Sequence, residues 1–394
     1  MKKSEYINEY CCGCGLCTSV CGKELITIDD GFPNVKVSEK DELEIYEKIC
    51  PVFYYHEAAR HDVWGIIRKA YIGYSSNPDT RYRASSGGAL TEICSYLLDK
   101  NIVDGIIHTT FNPENPITNI TCVSYTTEEV KTRCGSRYSI STPLEDLTNI
   151  VKKGEKYAFV GKPCDVMALR RHMDAYSDFR SQIVVLLSFF CAGEPSIEAQ
   201  YELLEKIGCK GKKCKSITYR GNGWPGFTTV EAHDGSIYKM EYKDAWGKHL
   251  GRSIRKVCRY CMDGTGDAAD IVCADFWQLD NNGDADFSEH DGRNIIIART
   301  QLGNDILEET VNDRYLTVEG DYTDRISIDF HKYQYSQYRR KSTMKSVVLA
   351  LRIFGKNAPM YSYSYLNKYS KHADIGTKLR FFFGIVRRIR KKII

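Results

Sequence analysis

The sequence contains no apolar run long enough to cross a bilayer, and its first ten residues are polar, without the apolar stretch of a secretory signal peptide. We therefore expect a cytoplasmic protein rather than an exported or membrane-spanning one. The nine histidines show no metal-ligand spacing and are interpreted as structural or solvated. The 16 cysteines, in a chain without a secretion signal, favour metal binding over disulfides.

A strong net charge is also lacking, since the formal total is +4. Seven Lys or Arg and no acid lie between Gly376 and Ile394, which leaves −3 for the rest of the chain. A general affinity of the body for nucleic acid is therefore not expected. The length of 394 residues allows a large core and two or three domains.

Cysteines near the N-terminus form the most specific pattern. From Cys11 to Cys21 they follow C-x2-C-x2-C-x3-C, the bacterial ferredoxin spacing for a four-iron four-sulfur (4Fe-4S) cluster. Gly13 and Gly15 would let the loop curl close to the cluster. Zinc sites usually take two separated C-x2-C pairs, and thiols this crowded in sequence suit disulfides poorly. The pattern predicts a 4Fe-4S cluster held by Cys11, Cys14 and Cys17.

The fourth ligand has two candidates. Gly22 replaces the Pro that usually follows the fourth cysteine, whereas a Cys-Pro pair occurs at Cys50. In two-cluster ferredoxins the fourth Cys of one run serves the other cluster, and residues 41–44 stand where a second run has lost its cysteines. We predict Cys50 as the fourth ligand, with Cys21 as the alternative and Cys12 as a bystander.

A second pattern is a helix start. Ser85, Ser86, Gly87 and Gly88 precede a run, Ala89 to Lys100, whose apolar residues recur at helical spacing. Free backbone N–H groups and the helix dipole make such an end a phosphate site. A serine N-cap with a glycine turn is the simpler interpretation of these residues alone.

Two buried strands are predicted at 157–160 and 183–190, each followed by a cysteine, Cys164 and Cys191, and then by a helix. A strand–helix–strand unit is a right-handed parallel crossover, so both cysteines would lie at the carboxyl edge of one sheet. Cys258 and Cys261 form a C-x2-C pair that needs two more thiolates, which Cys164 and Cys191 could supply. A redox dithiol is the alternative for that pair.

The expected fold is α/β. A small ferredoxin-like module at 1–62 would precede a core with parallel strand–helix–strand units in two parts, 63–150 and 151–315. A Tyr-rich, basic, helical extension would occupy 316–394.

From Cys11 to about Gly303 the chain resembles the family of beta subunits of coenzyme F420 (a deazaflavin) hydrogenases and dehydrogenases, in the version with a fused ferredoxin module. Each motif is weak alone, and their order and spacing together are specific. They are Ser85-Ser86-Gly87-Gly88 with Thr91, Gly135-Ser136-Arg137-Tyr138, Gly161-Lys162-Pro163-Cys164, Phe190-Cys191-Ala192-Gly193, Gly223-Trp224-Pro225-Gly226, Cys258-x2-Cys261-x-Asp263, Ala269-Asp270-Ile271 with Trp277, and Arg299-Thr300-Gln301-Leu302-Gly303.

The resemblance implies a flavoprotein that moves electrons between two 4Fe-4S clusters, FAD and a soluble small-molecule substrate, with an electron-carrier protein such as ferredoxin as partner. Cys164, Cys191, Cys258 and Cys261 would hold the second cluster. FAD would be bound by Ser85, Ser86, Gly87, Gly88, Thr91, Gly135, Ser136 and Tyr138.

The sequence departs from its relatives at Gly22 and at Cys273-Ala274-Asp275, where they tend to have a Gly-Asp pair. Family members act on different substrates, and some belong to polysaccharide biosynthesis, so the likeness does not fix the substrate. The alternative function is an electron-transfer or scaffold subunit that has kept clusters and lost flavin.

The C-terminal tail is amphipathic. Leu379, Phe382, Phe383, Val386, Ile389 and Ile393 recur at helical spacing, with Arg and Lys largely opposite. This pattern suits a helix lying on an anionic membrane surface, so peripheral contact with the inner face of the membrane is one expectation. A helix docked on the body, or one that binds an acidic partner, is an equal alternative.

Overall fold

The computed structural model describes residues 3–21, 26–29, 32–35, 48–53 and 63–392. The predictions made for Gly22, residues 41–44 and Ile393 lie outside this part of the chain.

Within it, the strands are β1 (Ile26–Asp29), β2 (Phe32–Val35), β3 (Lys69–Ser75), β4 (Gly105–Phe111), β5 (Asn119–Ser124), β6 (Tyr157–Gly161), β7 (Ile183–Phe189), β8 (Cys214–Thr218), β9 (Phe227–Ala232), β10 (Ile237–Glu241), β11 (Ile271–Asp275), β12 (Asn294–Ala298) and β13 (Leu316–Asp321). The helices are α1 (Lys3–Tyr10), α2 (Leu16–Cys21), α3 (Pro78–Arg83), α4 (Ala89–Asp99), α5 (Thr127–Thr132), α6 (Leu147–Ile150), α7 (Pro163–Ala175), α8 (Ile197–Lys206), α9 (Tyr242–Asp244), α10 (Lys256–Arg259), α11 (Gln301–Asn312), α12 (Ile326–Tyr333), α13 (Tyr335–Ile353), α14 (Tyr363–Ser370) and α15 (Ile375–Arg390). Single turns of other helix types span Pro51–Phe53, Ala245–His249 and Leu250–Arg252.

An eight-stranded sheet in the order β13-β3-β12-β11-β7-β6-β4-β5 forms the centre of the molecule. The four strands β4, β6, β7 and β11 are parallel, and the strands that flank them are antiparallel. The predicted parallel crossover is confirmed, because α7 joins β6 to β7. The carboxyl ends of β6 and β7 therefore deliver Cys164 and Cys191 to the same edge of the sheet.

The central strands are apolar because both faces of the sheet are covered. On one face, α4 and α11 pack over a core that includes Ile93, Leu97 and Leu307. On the other, α7, the N-terminal cysteine loop and the C-terminal helices share a second core. The expected α/β fold with parallel units and a helical C-terminal region is thus confirmed.

A smaller antiparallel sheet, β10-β9-β8, packs against α8 over a third core. Ser196 caps α8, since its side chain accepts a hydrogen bond from Ala199 N. The large sheet takes its edge strand, β13, from the range that the sequence analysis assigned to the extension.

The C-terminal region packs onto the N-terminal module and the core through tyrosines. Tyr10 Oη donates to Asn357 O over 2.8 Å, and Tyr361 Oη donates to Tyr260 O over 2.6 Å. Tyr361 and Tyr365 are buried, as tyrosines that find a polar partner can be, while Tyr335 and Tyr363 stay exposed. No helix in the described ranges is long and apolar enough to span a membrane.

Candidate functional site

The first cysteine group lies on the loop between α1 and α2. Gly13 and Gly15 have φ of 72° and 84°, which turns the loop tightly and allows Gly13 N to donate to Cys11 Sγ over 3.2 Å. A β-carbon on Gly15 would lie 2.8 Å from Glu145 N, so glycine is also required by packing. Cys50 approaches from the turn at Pro51.

The thiols of this group interact with one another. Burial raises the pKa of Cys11 to about 12, and the neighbouring Cys17 adds to the shift. Burial also raises the pKa of Cys50 well above its ordinary value, with further increases from Cys11 and Cys17. Cys50 therefore lies near Cys11 and Cys17, as a fourth ligand of the same cluster must. Cys21 ends α2 and is half-buried.

The second group gathers Cys164 at the start of α7, Cys191 after β7, and the pair Cys258 and Cys261 in and after α10. Burial raises the pKa of Cys191 well above its ordinary value, and Cys258, Cys164 and Cys261 raise it further in that order. Burial likewise raises the pKa of Cys261 to about 12. The four residues that the sequence analysis combined are therefore neighbours.

Cys12 lies between the two groups, and its interpretation as a bystander rather than a ligand stays a prediction. Its thiol lies close enough to those of Cys14 in the first group and Cys164 in the second for each to shift the pKa of the other. In the sequence, Cys12 stands out only because it directly follows Cys11. Its proximity to Cys164 becomes visible only when the loop packs against the start of α7.

Among the described residues no three or more His, Cys, Asp or Glu side chains converge closely enough to hold a single metal ion. A cubane takes its thiolates at its corners, farther apart than the ligands of one ion. The two groups suit that chemistry, because Cys50 and Cys191 each lie among other thiols that raise their pKa, and such thiols resist ionising together without a cation among them.

Buried charges lie beside the second group. Arg255 Nε is 2.6 Å from Glu194 Oε2, and Lys162 Nζ is 3.2 Å from Glu194 Oε1 and 3.3 Å from Asp165 Oδ2. Burial lowers the pKa of Lys162, but Asp165 and Glu194 raise it well above its ordinary value, so this lysine is charged. Sequence reasoning did not find Glu194 and Arg255, although they stand three residues from Cys191 and Cys258.

A cavity of about 1090 Å³ opens at the carboxyl edge of the parallel strands, next to these charges. This volume is at the upper end for ligand pockets and suits a dinucleotide. Cys191, Lys162 and Glu194 line it. Seven of the eight predicted FAD residues line it as well: Ser85, Ser86, Gly88, Thr91, Gly135, Ser136 and Tyr138.

Gly87 is the exception. It does not line the cavity, and a β-carbon there would lie 2.7 Å from Asn294 Oδ1 and 3.1 Å from Arg293 Cα. Its smallness serves the packing of the loop against β12. A plain serine N-cap is also wrong, because Gly88 is the cap residue and no side chain caps α4.

The two predicted FAD segments meet through Ser85. Its hydroxyl accepts a hydrogen bond from Ser136 N over 2.6 Å and donates to Arg220 O. Leu90 and Thr91, in the first turn of α4, face the cavity, so the positive end of the helix dipole is directed toward a ligand there.

An aromatic wall that includes the cation Arg220 closes the other side of the cavity. Arg220 is 3% exposed and holds Asp275 with bonds of 2.8 and 3.1 Å. The guanidinium lies over the rings of Tyr242 and Trp277, 4.6 and 4.9 Å from their centroids. Sequence reasoning missed Arg220, while it noted Asp275 only as a departure from relatives.

Fold and site together define an α/β protein with a dinucleotide-sized cavity beside grouped thiols. The family model "Coenzyme F420 hydrogenase/dehydrogenase, beta subunit N-term" matches residues 70–148, and the corresponding C-terminus model matches 154–322. The chain belongs to the family of coenzyme F420 hydrogenase/dehydrogenase beta subunits, as its motifs indicated.

Individual relatives are distant. The chain is 23% identical over 261 residues to the coenzyme F420 hydrogenase subunit beta of Methanothermobacter thermautotrophicus, covering 63% of this chain and 83% of that protein. It is 22% identical over 318 residues to a subunit of the F(420)H(2) dehydrogenase of Methanosarcina mazei, covering 75% and 81%. These relatives are subunits of F420-linked oxidoreductases.

A solved structure shares the fold. A chain of the F420-reducing [NiFe] hydrogenase complex from Methanosarcina barkeri aligns with a TM-score of 0.57 at 19% identity, over 76% of this chain and 98% of that one.

His108 generates the first testable prediction. This imidazole lines the cavity, and its Nε2 lies 2.8 Å from Ser124 Oγ and 3.5 Å from Cys122 Sγ. Burial, with the nearby Arg133, lowers the pKa of His108 to about 4. Between pH 6.5 and 4 the folded state therefore binds fewer protons than the unfolded state. The stability that His108 contributes is fully present above pH 6.5 and is lost as the pH falls from 6.5 to about 4.

The loss amounts to about 3 kcal/mol. His108→Asn should flatten the acid side of the curve of unfolding free energy against pH by about this amount. The exposed His233→Asn is the matched control and should leave the curve unchanged. Equal slopes for wild type and His108→Asn in urea unfolding would contradict the prediction.

Proposed function

We propose that the protein is an iron–sulfur flavoprotein subunit of an oxidoreductase that exchanges electrons between a redox partner protein and F420 or a similar small molecule. The observation that carries the proposal is that the second thiol group reaches, through Cys191, a cavity lined by seven predicted FAD residues, while Cys12 links that group to the first one. The oxidoreductase subunits among its relatives support it.

In this proposal Cys11, Cys14, Cys17 and Cys50 hold one 4Fe-4S cluster, and Cys164, Cys191, Cys258 and Cys261 hold the other. Arg255 interacts electrostatically with Cys11, Cys12 and Cys258. Lys162 interacts with Cys164 and Cys258. These buried cations would offset the negative charge that thiolate ligands bring into the interior.

FAD would lie in the cavity with its phosphates at the start of α4, where Leu90 and Thr91 present the end of the helix dipole. Bound flavin converts between electron pairs and single electrons, which is the conversion a small-molecule carrier and iron–sulfur clusters require. The aromatic wall would keep water from the reacting ring. Arg220, fixed by Asp275, would place a positive charge beside it.

The loop that carries Cys191 is held by the C-terminal helices. Gln337 Nε2 donates to Cys191 O over 2.8 Å, and Arg340 Nη2 donates to Ala192 O over 3.0 Å. A β-carbon on Gly264 would clash with Gln337 Oε1, so α13 is in close contact with this region. These contacts would fix the position of Cys191 between the second cluster and the cavity.

Cysteine variants test the cluster assignment. After anaerobic reconstitution, Cys258→Ser should lose about half of the iron and sulfide, and Cys50→Ser should lose the other half, because each removes one ligand of a different group. Cys21→Ser is the matched control and should keep both clusters. Iron content consistent with a single cluster, or loss in Cys21→Ser with retention in Cys50→Ser, would contradict the assignment.

A cavity variant tests the flavin and the function. Thr91→Tyr places a ring in the cavity at the start of α4 and should remove most of the FAD, and with it the anaerobic oxidation of reduced F420 by the chain. Thr121→Phe, on the edge strand β5 and away from the cavity lining, is the control. Clusters without flavin in the wild type would instead support the electron-transfer subunit.

A further inference from the structure

The C-terminal segment has a large excess of positive over negative charge. Of the 55 Lys and Arg, 16 lie in residues 331–394, which contain one acid of the 51, Asp374. This segment therefore has a formal charge of +15, against −11 for residues 1–330. Asp374 is used within the chain, since its side chain accepts a hydrogen bond from Thr377 N and caps α15.

Helix α15 is docked on the body by one face only. Ile385 and Val386 are buried, and α15 packs along α13, where the Arg339 guanidinium lies 5.6 Å from the ring centroid of Phe381. This is the docked helix that the sequence analysis kept as an alternative. Packing on the body therefore buries only some of the apolar residues of this amphipathic helix.

Apolar side chains in the first half of the same helix stay exposed. Ile375, Leu379 and Phe383 are 74%, 50% and 61% exposed, and their i, i+4, i+8 spacing places them in one row. Arg380, Arg387 and Arg390 are exposed on the same outer side. Among the described residues none of these three arginines forms an ion pair with a carboxylate.

We propose that the outer face of α15 docks on an anionic membrane surface, with Ile375, Leu379 and Phe383 inserted between headgroups and the arginines at the phosphate level. The exposed arginines of α15, a helix without acidic residues, complement an anionic surface. The row of exposed apolar side chains favours a membrane over a nucleic acid as the partner, because a nucleic acid would contact only the charged side chains. This inference is independent of the redox function.

The geometry suits peripheral binding. The helix keeps its inner face in the protein core, so docking needs no unfolding of the C-terminal region. The 16 residues of α15 lie along the surface, and the arginine side chains can extend their apolar stems past the inserted row to reach phosphates.

Flotation of the full chain with vesicles tests the proposal. The wild type should float with vesicles that contain phosphatidylglycerol and not with phosphatidylcholine alone, and added salt should weaken binding. Leu379→Ser with Phe383→Ser should reduce vesicle affinity at least about tenfold. Arg380→Gln, Arg387→Gln and Arg390→Gln together should reduce it about fivefold per charge, roughly a hundredfold in total.

Two controls match these variants. Ile237→Ser removes an exposed apolar side chain from β10, and the triple change Lys153→Gln, Lys206→Gln and Lys239→Gln removes three exposed charges elsewhere. Both should float like the wild type, and circular dichroism should show all variants folded. A wild type that does not float, or α15 variants that bind as tightly as the controls, would overturn the proposal in favour of an acidic protein or a second copy of the chain.

Discussion

Buried thiols repel one another once they ionise, and this constraint governs the arrangement around the carboxyl edge of the sheet. Cys191 and Cys50 each lie close to several other cysteines, so neither group can become thiolate without positive charge nearby. The fold supplies some of that charge through Arg255 and Lys162. Both are anchored by one carboxylate, Glu194, which is itself buried.

Glu194 also connects this region to the cavity. Its Oε1 accepts hydrogen bonds from Ser141 N and Lys162 Nζ, and both Glu194 and Lys162 line the cavity wall. The same network that compensates the thiols thus shapes the space in which the proposed flavin would lie. The parallel strands make this possible, because their carboxyl ends bring β6 and β7 to one edge.

The sequence predicted the features that depend on local spacing. The parallel unit from Tyr157 to Phe189 follows from apolar runs with a helix between them, and the four-cysteine groups follow from motif spacing and the family resemblance. It could not predict contacts made between distant segments. Cys12 looked redundant because its second neighbour, Cys164, is 152 residues away. Gly87 looked like a phosphate contact because only the fold brings Asn294 against it.

The central proposal is that two 4Fe-4S clusters lie side by side with Cys12 between them, and that the second cluster adjoins the cavity through Cys191. Electron paramagnetic resonance of the anaerobically reconstituted, fully reduced chain tests it most directly. The account predicts a spectrum broadened or split by magnetic interaction between two 4Fe-4S clusters, which reverts to one simple cluster signal in Cys258→Ser. Two signals that add without interaction, or a single cluster in the wild type, would contradict it.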